Sequence, residues 1–306
     1  SGLLNRHNLD WDHGLLGRLG IDATSLPELA PWNEYETGLV AEYAKRWPFL
    51  AQIPFFLAVG DGAAVNVGTG CIDDTKVALT VGTTGAMRVL SENPTLEVPT
   101  GLWAYRLGAN RTLLGGSFSE GGNVVQWALD NLNLPPITDL NHELIKLEPA
   151  GHGISVLPFI AGERATGWST SASGVFEGIR VSTKPIEILQ ALLESVAYRF
   201  ALVADLLLPG VKSDYQMIAS GGAIQSSPWW LQTMSDVLGV PVGVSAEQQD
   251  TSRGTAILAL HALGIWDTLD TFPAKIADTY QPRPEHVDAY ANARERQSVL
   301  YDRLLG

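Results

Sequence analysis

Residues 76–90 read KVALTVGTTGAMRVL, and this stretch decides the architecture. Two apolar runs, 77–81 and 86–90, flank a four-residue link, Gly82-Thr83-Thr84-Gly85, that begins and ends in glycine. The pattern predicts a strand, a tight turn and an antiparallel strand. Working outward, 102–119 repeats the strand–turn–strand pattern, and Gly121 and Gly122 then open a helix over 123–131. Residues 154–160 form an apolar run suited to a buried strand. The longest helical pattern covers 183–208, with Thr183 as N-cap, Pro185 in the first turn and Pro209-Gly210 as the stop. Strand and helix then alternate: 215–219, 228–238, 240–245 and 251–263, before a charged amphipathic helix over 285–304 with a solvated face. Upstream, 13–19 reads as a helix in an otherwise loop-rich stretch to about residue 48, and 54–59 as a buried strand ending at Gly60-Asp61-Gly62. Such alternation means an α/β protein whose sheet layers are covered by helices.

With 306 residues, 45% hydrophobic and 17% charged, the chain buries a sizeable core, and its length suggests about two domains. Twenty Lys and Arg against 33 Asp and Glu give a net charge of −13, which argues against nucleic acid or an anionic membrane as the main partner. Cys71 is the single cysteine, so an internal disulfide framework and a multi-thiolate metal site are excluded. The six histidines show no metal-binding spacing, and no protein-built metal site is expected. The most apolar stretch, 49–59, holds Gln52 and Pro54 and is too short to span a bilayer. A cytoplasmic, reducing setting is expected. The chain opens Ser-Gly-Leu-Leu-Asn-Arg, with no leader pattern, and reads like the middle of something longer.

Three constellations carry candidate chemistry. Asp61, flanked by glycines after an apolar run, is placed to accept a proton from a substrate hydroxyl, although an Asp-Gly turn is also common. The Gly82–Gly85 link lets backbone N–H groups approach a phosphate while Thr83 and Thr84 add hydroxyl donors, or it is an ordinary hairpin turn. Ser220-Gly221-Gly222-Ala223 joins a strand to a helix and offers flat backbone to a ring, with Gln225 and Ser226 as polar edges; a structural turn explains it equally well. Trp229-Trp230 opens an apolar helix and reads as packing. Cys71 reads as a small buried residue.

Each motif is weak alone; their order is not. Gly60-Asp61-Gly62-Ala-Ala, then Gly-Thr-Thr-Gly, then Gly121-Gly122-x-x-x-Gln126-Trp127, then Ser-Gly-Gly-Ala resembles the FGGY family of carbohydrate kinases. Gly174-Val-Phe-Glu-Gly-Ile179, seven residues, then Glu187-Ile-Leu-Gln-Ala-Leu-Leu-Glu194 is similar to that family's second signature. Within the family, Ser1-Gly-Leu-Leu-Asn5 with Trp11-Asp12, and the run from Gly60 to Cys71, look most like gluconate kinases, with xylulose kinases next and glycerol kinases more distant.

The resemblance implies an actin-like fold of two ribonuclease-H-type lobes closing over ATP and a sugar, with Mg²⁺ as cofactor. It implies residues 1–73 as the last part of the first, sugar-binding lobe and 74–306 as the whole nucleotide-binding lobe. It makes Asp61 the catalytic base, and assigns nucleotide contacts to Gly82, Thr83, Thr84, Gly122, Gln126, Gly221 and Gly222. Ser226 falls where an Asn often meets the adenine. Gly222 is expected to be the pivot, where a side chain would cover the adenosine face and strain a positive-φ backbone. The implied partner is a small sugar or sugar acid, with a homodimer left open; a non-catalytic nucleotide-binding relative is the alternative of another class. The family's Asp-x-Gly-Thr hairpin is not found in these 306 residues. The chain as it stands is therefore expected to bind ATP weakly and to phosphorylate no sugar.

Overall fold

The computed structural model describes residues 2–271 and 273–306. Ser1 of the gluconate-kinase-like motif lies outside the described residues. The centre is a seven-stranded sheet. Its strands are β1 (Lys76–Val81), β2 (Gly85–Ser91), β3 (Trp103–Leu107), β4 (Arg111–Phe118), β5 (Gln216–Ser220), β6 (Val242–Ser245) and β7 (Ile276–Tyr280). Their order across the sheet is β7-β6-β5-β1-β2-β4-β3. β5 runs parallel to both β1 and β6, and the other neighbours are antiparallel. Val77, Leu79 and Val81 are fully buried, as are Met87 and Leu90. A sheet covered on both faces favours such continuous apolar runs. β7 was not foreseen from the sequence.

The helix Pro185–Leu207 runs through the core, and Phe200 tilts against Phe118 of β4 at a 4.4 Å centroid distance. Truncating a phenylalanine packed this way costs about 3–5 kcal/mol. The expected cap shifts by one residue. Lys184 is the N-cap, its N–H donating to Glu187 Oε2 at 2.7 Å, while Thr183 Oγ1 accepts from Arg180 N. Trp229 and Trp230 pack in the core, and Trp230 Nε1 donates to the Leu193 carbonyl. Cys71 is fully buried, and burial pushes its thiol up to about 12. The last helix, Val287–Leu305, is less solvated than its charges suggest: Tyr290, Ala293, Gln297 and Leu300 are buried. No helix among the described residues is long and apolar enough to cross a membrane.

Two expectations near the front of the chain are corrected. The run 54–59 is not a buried strand: only Pro54–Phe56 is extended, it pairs with Tyr35–Thr37 in a two-stranded ribbon, and Leu57 is 54% exposed. Nor does Asp61 sit at a strand's mouth. It is the first residue of the helix Asp61–Gly68, after Gly60 as N-cap. That helix packs backbone to backbone on Asp250–Ala262. A Cβ at Gly68 would lie 1.8 Å from the Asp250 carbonyl oxygen, and one at Gly254 1.8 Å from that of Ala64. This contact fixes the helix that Asp61 begins.

Candidate functional site

The site is built around the turn between β1 and β2. Gly82 N donates to the Thr84 carbonyl at 3.0 Å, and the Thr83 and Thr84 side chains are exposed at the tip. The next glycine pair locks onto this turn: Gly122 N donates to the Gly82 carbonyl at 2.7 Å and Asn123 N to that of Thr83 at 3.1 Å. The first amides of the helix Gly122–Asn131 thus hold the turn. A Cβ at Gly121 would stand 2.6 Å from the Thr84 carbonyl carbon, and one at Gly122 2.9 Å from the Gly82 carbonyl oxygen. Backbone contact this close admits only glycine.

The third glycine pair divides its tasks differently from expectation. The positive φ belongs to Gly221, at +102°, where a Cβ would also meet the Val81 carbonyl oxygen at 2.4 Å. Gly222 has no such constraint, and a Cβ there would meet nothing within 4 Å. Gly221 is the structural member, and Gly222 presents bare backbone to open space.

The turn lies between two cavities. On one side, Gly82, Thr83, Gly122, Gln126 and Gly222 line an open cleft of ≈ 680 Å³. Gly221 and Ser226 are not part of that lining. Ser226 Oγ donates back to the Ala223 carbonyl at 2.8 Å, so the side chain serves its own turn. Gln126 is exposed, and its Nε2 donates to Asp130 Oδ1. On the other side, a cavity of ≈ 720 Å³ is lined by Asp61, Thr84, Arg88, Trp103, Tyr105 and Arg164, among others. The Asp61 carboxylate is exposed there and accepts from Gly62 N at 2.7 Å. Trp103 and Tyr105 stack at 4.3 Å as one wall. A third cavity, ≈ 590 Å³ beneath Val287–Leu305, contains none of the residues singled out by the sequence.

Sequence reasoning missed Arg88, Trp103 and Tyr105. The signal for Arg88 was available: a lone charge in the otherwise apolar run 86–90. It also missed Glu120, which precedes the Gly121-Gly122 pair. Glu120 is 1% exposed, its Oε1 has no partner, and burial pushes its carboxyl up to about 7.

Residues 77–263 match the family model described as the FGGY family of carbohydrate kinases, C-terminal domain, well over half of the chain. The chain is 29% identical over 295 residues to the gluconokinase of Bacillus subtilis (strain 168), covering 93% of this chain and 58% of the relative. Among solved structures it superposes on the ligand-bound xylulose kinase of Lactobacillus acidophilus with a TM-score of 0.89 at 28% identity. It also superposes on the gluconate kinase of Lactobacillus acidophilus, with a TM-score of 0.87 at 27% identity. Each superposition covers 99% of this chain and 62% of the solved one. The chain therefore spans about six-tenths of the length of the relatives it matches. Its mixed sheet and covering helices are the actin-like ATPase fold that the sequence motifs implied. The chain belongs to the FGGY family of carbohydrate kinases.

Proposed function

We propose that the full-length protein uses ATP and Mg²⁺ to phosphorylate a hydroxyl of a sugar or sugar acid, gluconate being the first substrate to test. One observation carries this reading: a single glycine-bounded turn lines both a backbone-floored cleft and a cavity that contains an exposed carboxylate. A phosphoryl group in transit between two substrates must be held at such a shared boundary.

The cleft fits a nucleotide. Its floor at Gly122 and Gly222 carries no side chain, and the open space over Gly222 leaves room for a flat ring. Gly82 would close the turn from which Thr83 and Thr84 donate to phosphate oxygens, Gln126 would border the nucleoside, and Gly221 would hold the turn that presents Gly222. Ser226 would act through that turn. Among the described residues no group of three or more His, Cys, Asp or Glu side chains converges, so Mg²⁺ would be held largely by phosphate oxygens. When bound, it neutralises phosphate charge. Asp61 would take the proton of the attacking hydroxyl, and the stacked Trp103–Tyr105 wall would orient the acceptor. In this reading 1–73 belongs to the acceptor-binding lobe and 74–306 to the nucleotide lobe, with a cytoplasmic setting.

Xylulose or another pentulose is the second reading, favoured by the superposition on a xylulose kinase. The test is a panel of gluconate, xylulose, ribulose and glycerol, with ATP and Mg²⁺, followed by detection of the phosphoester. Gluconate as the best acceptor supports the first reading and xylulose the second. ATP binding without any product would make the protein a nucleotide-binding relative.

A further inference from the structure

We infer that Arg88 binds an oxyanion in the Asp61 cavity, either the carboxylate of a sugar-acid substrate or the phosphoryl group in transfer. The inference rests on the sugar-kinase reading of that cavity.

Arg88 stands on β2 between the core residues Met87 and Val89, and its side chain crosses to the opposite face, under the helix Asp61–Gly68. A Cβ added at Gly62 would lie 3.3 Å from Arg88 Nε, so the glycine next to Asp61 makes the space that the guanidinium occupies. Nη1 donates to Thr80 Oγ1 at 3.3 Å, and Thr80 in turn contacts Ser220 Oγ at 3.2 Å. Nε is buried and has no partner. Among the described residues no carboxylate comes within ion-pairing distance of Arg88. Asp61 is the acidic group that most favours its charge, but among the described residues the Asp61 side chain hydrogen-bonds only to Gly62 N.

Unpartnered guanidinium nitrogens also occur at Arg6, Arg111 and Arg199, but the two arginines paired with buried carboxylates differ from Arg88. Arg199 pairs with Glu163 and Arg283 with Asp236, so two other guanidiniums have carboxylate partners that are themselves buried. Arg106, which lines the same cavity, is spent on the carbonyls of Arg6, Pro94, Gly108 and Ala109. With 33 acidic residues against 20 basic ones, acidic partners are plentiful, yet Arg88 is left with one long neutral hydrogen bond. Arg88 is half-buried with its Nε out of reach of water, and a guanidinium partly withdrawn from water without an anion is costly. Arg88 lines a cavity whose charged residues are Arg88, Arg106 and Arg164 against Asp61 as the one acid. In a chain of net charge −13, that local excess of positive charge suits an anionic guest. A planar fork of donors matches a carboxylate or a phosphoryl group.

The test is titration calorimetry on the full-length chain with gluconate, the neutral alditol of equal length, ATP and ADP, for wild type and Arg88→Met. If the oxyanion is the substrate carboxylate, the variant loses about tenfold or more in gluconate affinity and keeps its alditol affinity. If it is the phosphoryl group, ATP affinity falls by a similar factor and ADP affinity does not. Should Arg88→Met unfold, Arg88→Lys carries the same comparison, since a single ammonium loses the paired geometry and should weaken the anionic ligand severalfold. Unchanged affinities for all four ligands, or equal weakening of gluconate and alditol, would overturn the assignment while leaving the kinase reading standing. Wild-type protein that binds neither gluconate nor ATP would end both.

Discussion

The two cavities that share the Gly82–Gly85 turn are built from different materials. One is floored by backbone: Gly82, Gly122 and Gly222 line it, and what they offer is the absence of side chains. The other is walled by side chains: a carboxylate, a guanidinium and two stacked rings. Backbone N–H groups and flat glycine surfaces suit a ligand whose recognised features are phosphates and a ring. Side chains are needed to tell one acceptor from another. In the proposed reading the backbone-floored cleft would take the nucleotide and the side-chain cavity would select the acceptor.

The comparison is broken most sharply at Asp61. In the full-length chain, Asp61→Asn should lower phosphoryl transfer by about 10²-fold or more, since the amide keeps the size and loses the base, while calorimetry should find ATP affinity nearly unchanged. Wild-type turnover in that variant removes Asp61 from the mechanism.

The neighbouring glycines sharpen the other side. Gly221→Ala puts a Cβ 2.4 Å from the Val81 carbonyl oxygen at φ +102°, and should cost about 1–3 kcal/mol or more in thermal or urea unfolding. Gly222→Val meets no protein atom, and valine is a better helix former than glycine, so folding stability should change by less than about 1 kcal/mol. Its effect should be weaker ATP binding with acceptor binding preserved. Equal behaviour of the two variants in melting and in ATP titration would show that the pair is not divided between structure and ligand.

A smaller effect is expected at Glu120, behind the turn. A Cβ at Gly85 would lie 2.8 Å from the Glu120 carbonyl oxygen, so this residue is packed directly on the turn. Burial raises its carboxyl to about 7, with Arg199 and Arg164 pulling it down and Glu163 pushing it up. Between the ordinary glutamate range and about 7, the folded protein holds this proton and the unfolded chain has lost it. Stability from this group is therefore present at lower pH and declines as pH rises through that window. Glu120→Gln should flatten the slope of melting temperature against pH between about 5 and 7. An unchanged slope in the variant would assign the pH dependence elsewhere.

Much of the fold was legible because it is written in local patterns. The β1–β2 hairpin is two apolar runs bounded by glycine, and Gly121-Gly122 and Gly221-Gly222 each follow a strand and precede a helix. What escaped depends on neighbours distant in sequence. The run 54–59 has the hydropathy of a buried strand, but it pairs with a single short strand and half of it stays in solvent. β7 is an exposed edge strand whose sequence, IADTY, is too polar to stand out. Adjacent glycines look alike in composition, and only the folded chain, through the positive φ of Gly221 and the approach of Val81, separates Gly221 from Gly222. Arg88 reaches the Asp61 cavity where Gly62, from another element, leaves room for it. Asp61 was recognisable as a candidate through its glycine setting, although the helix it begins was not.

The most direct measurement is the stoichiometry of the reaction in the full-length chain. With ATP, Mg²⁺ and gluconate, ADP and a sugar phosphoester are counted in parallel, and again with the acceptor omitted. The proposed sharing of one turn between a nucleotide cleft and an acceptor cavity predicts one phosphoester for each ADP, and almost no ADP without acceptor. ADP formed at the same rate with and without a sugar, or ADP with no phosphoester, would contradict it.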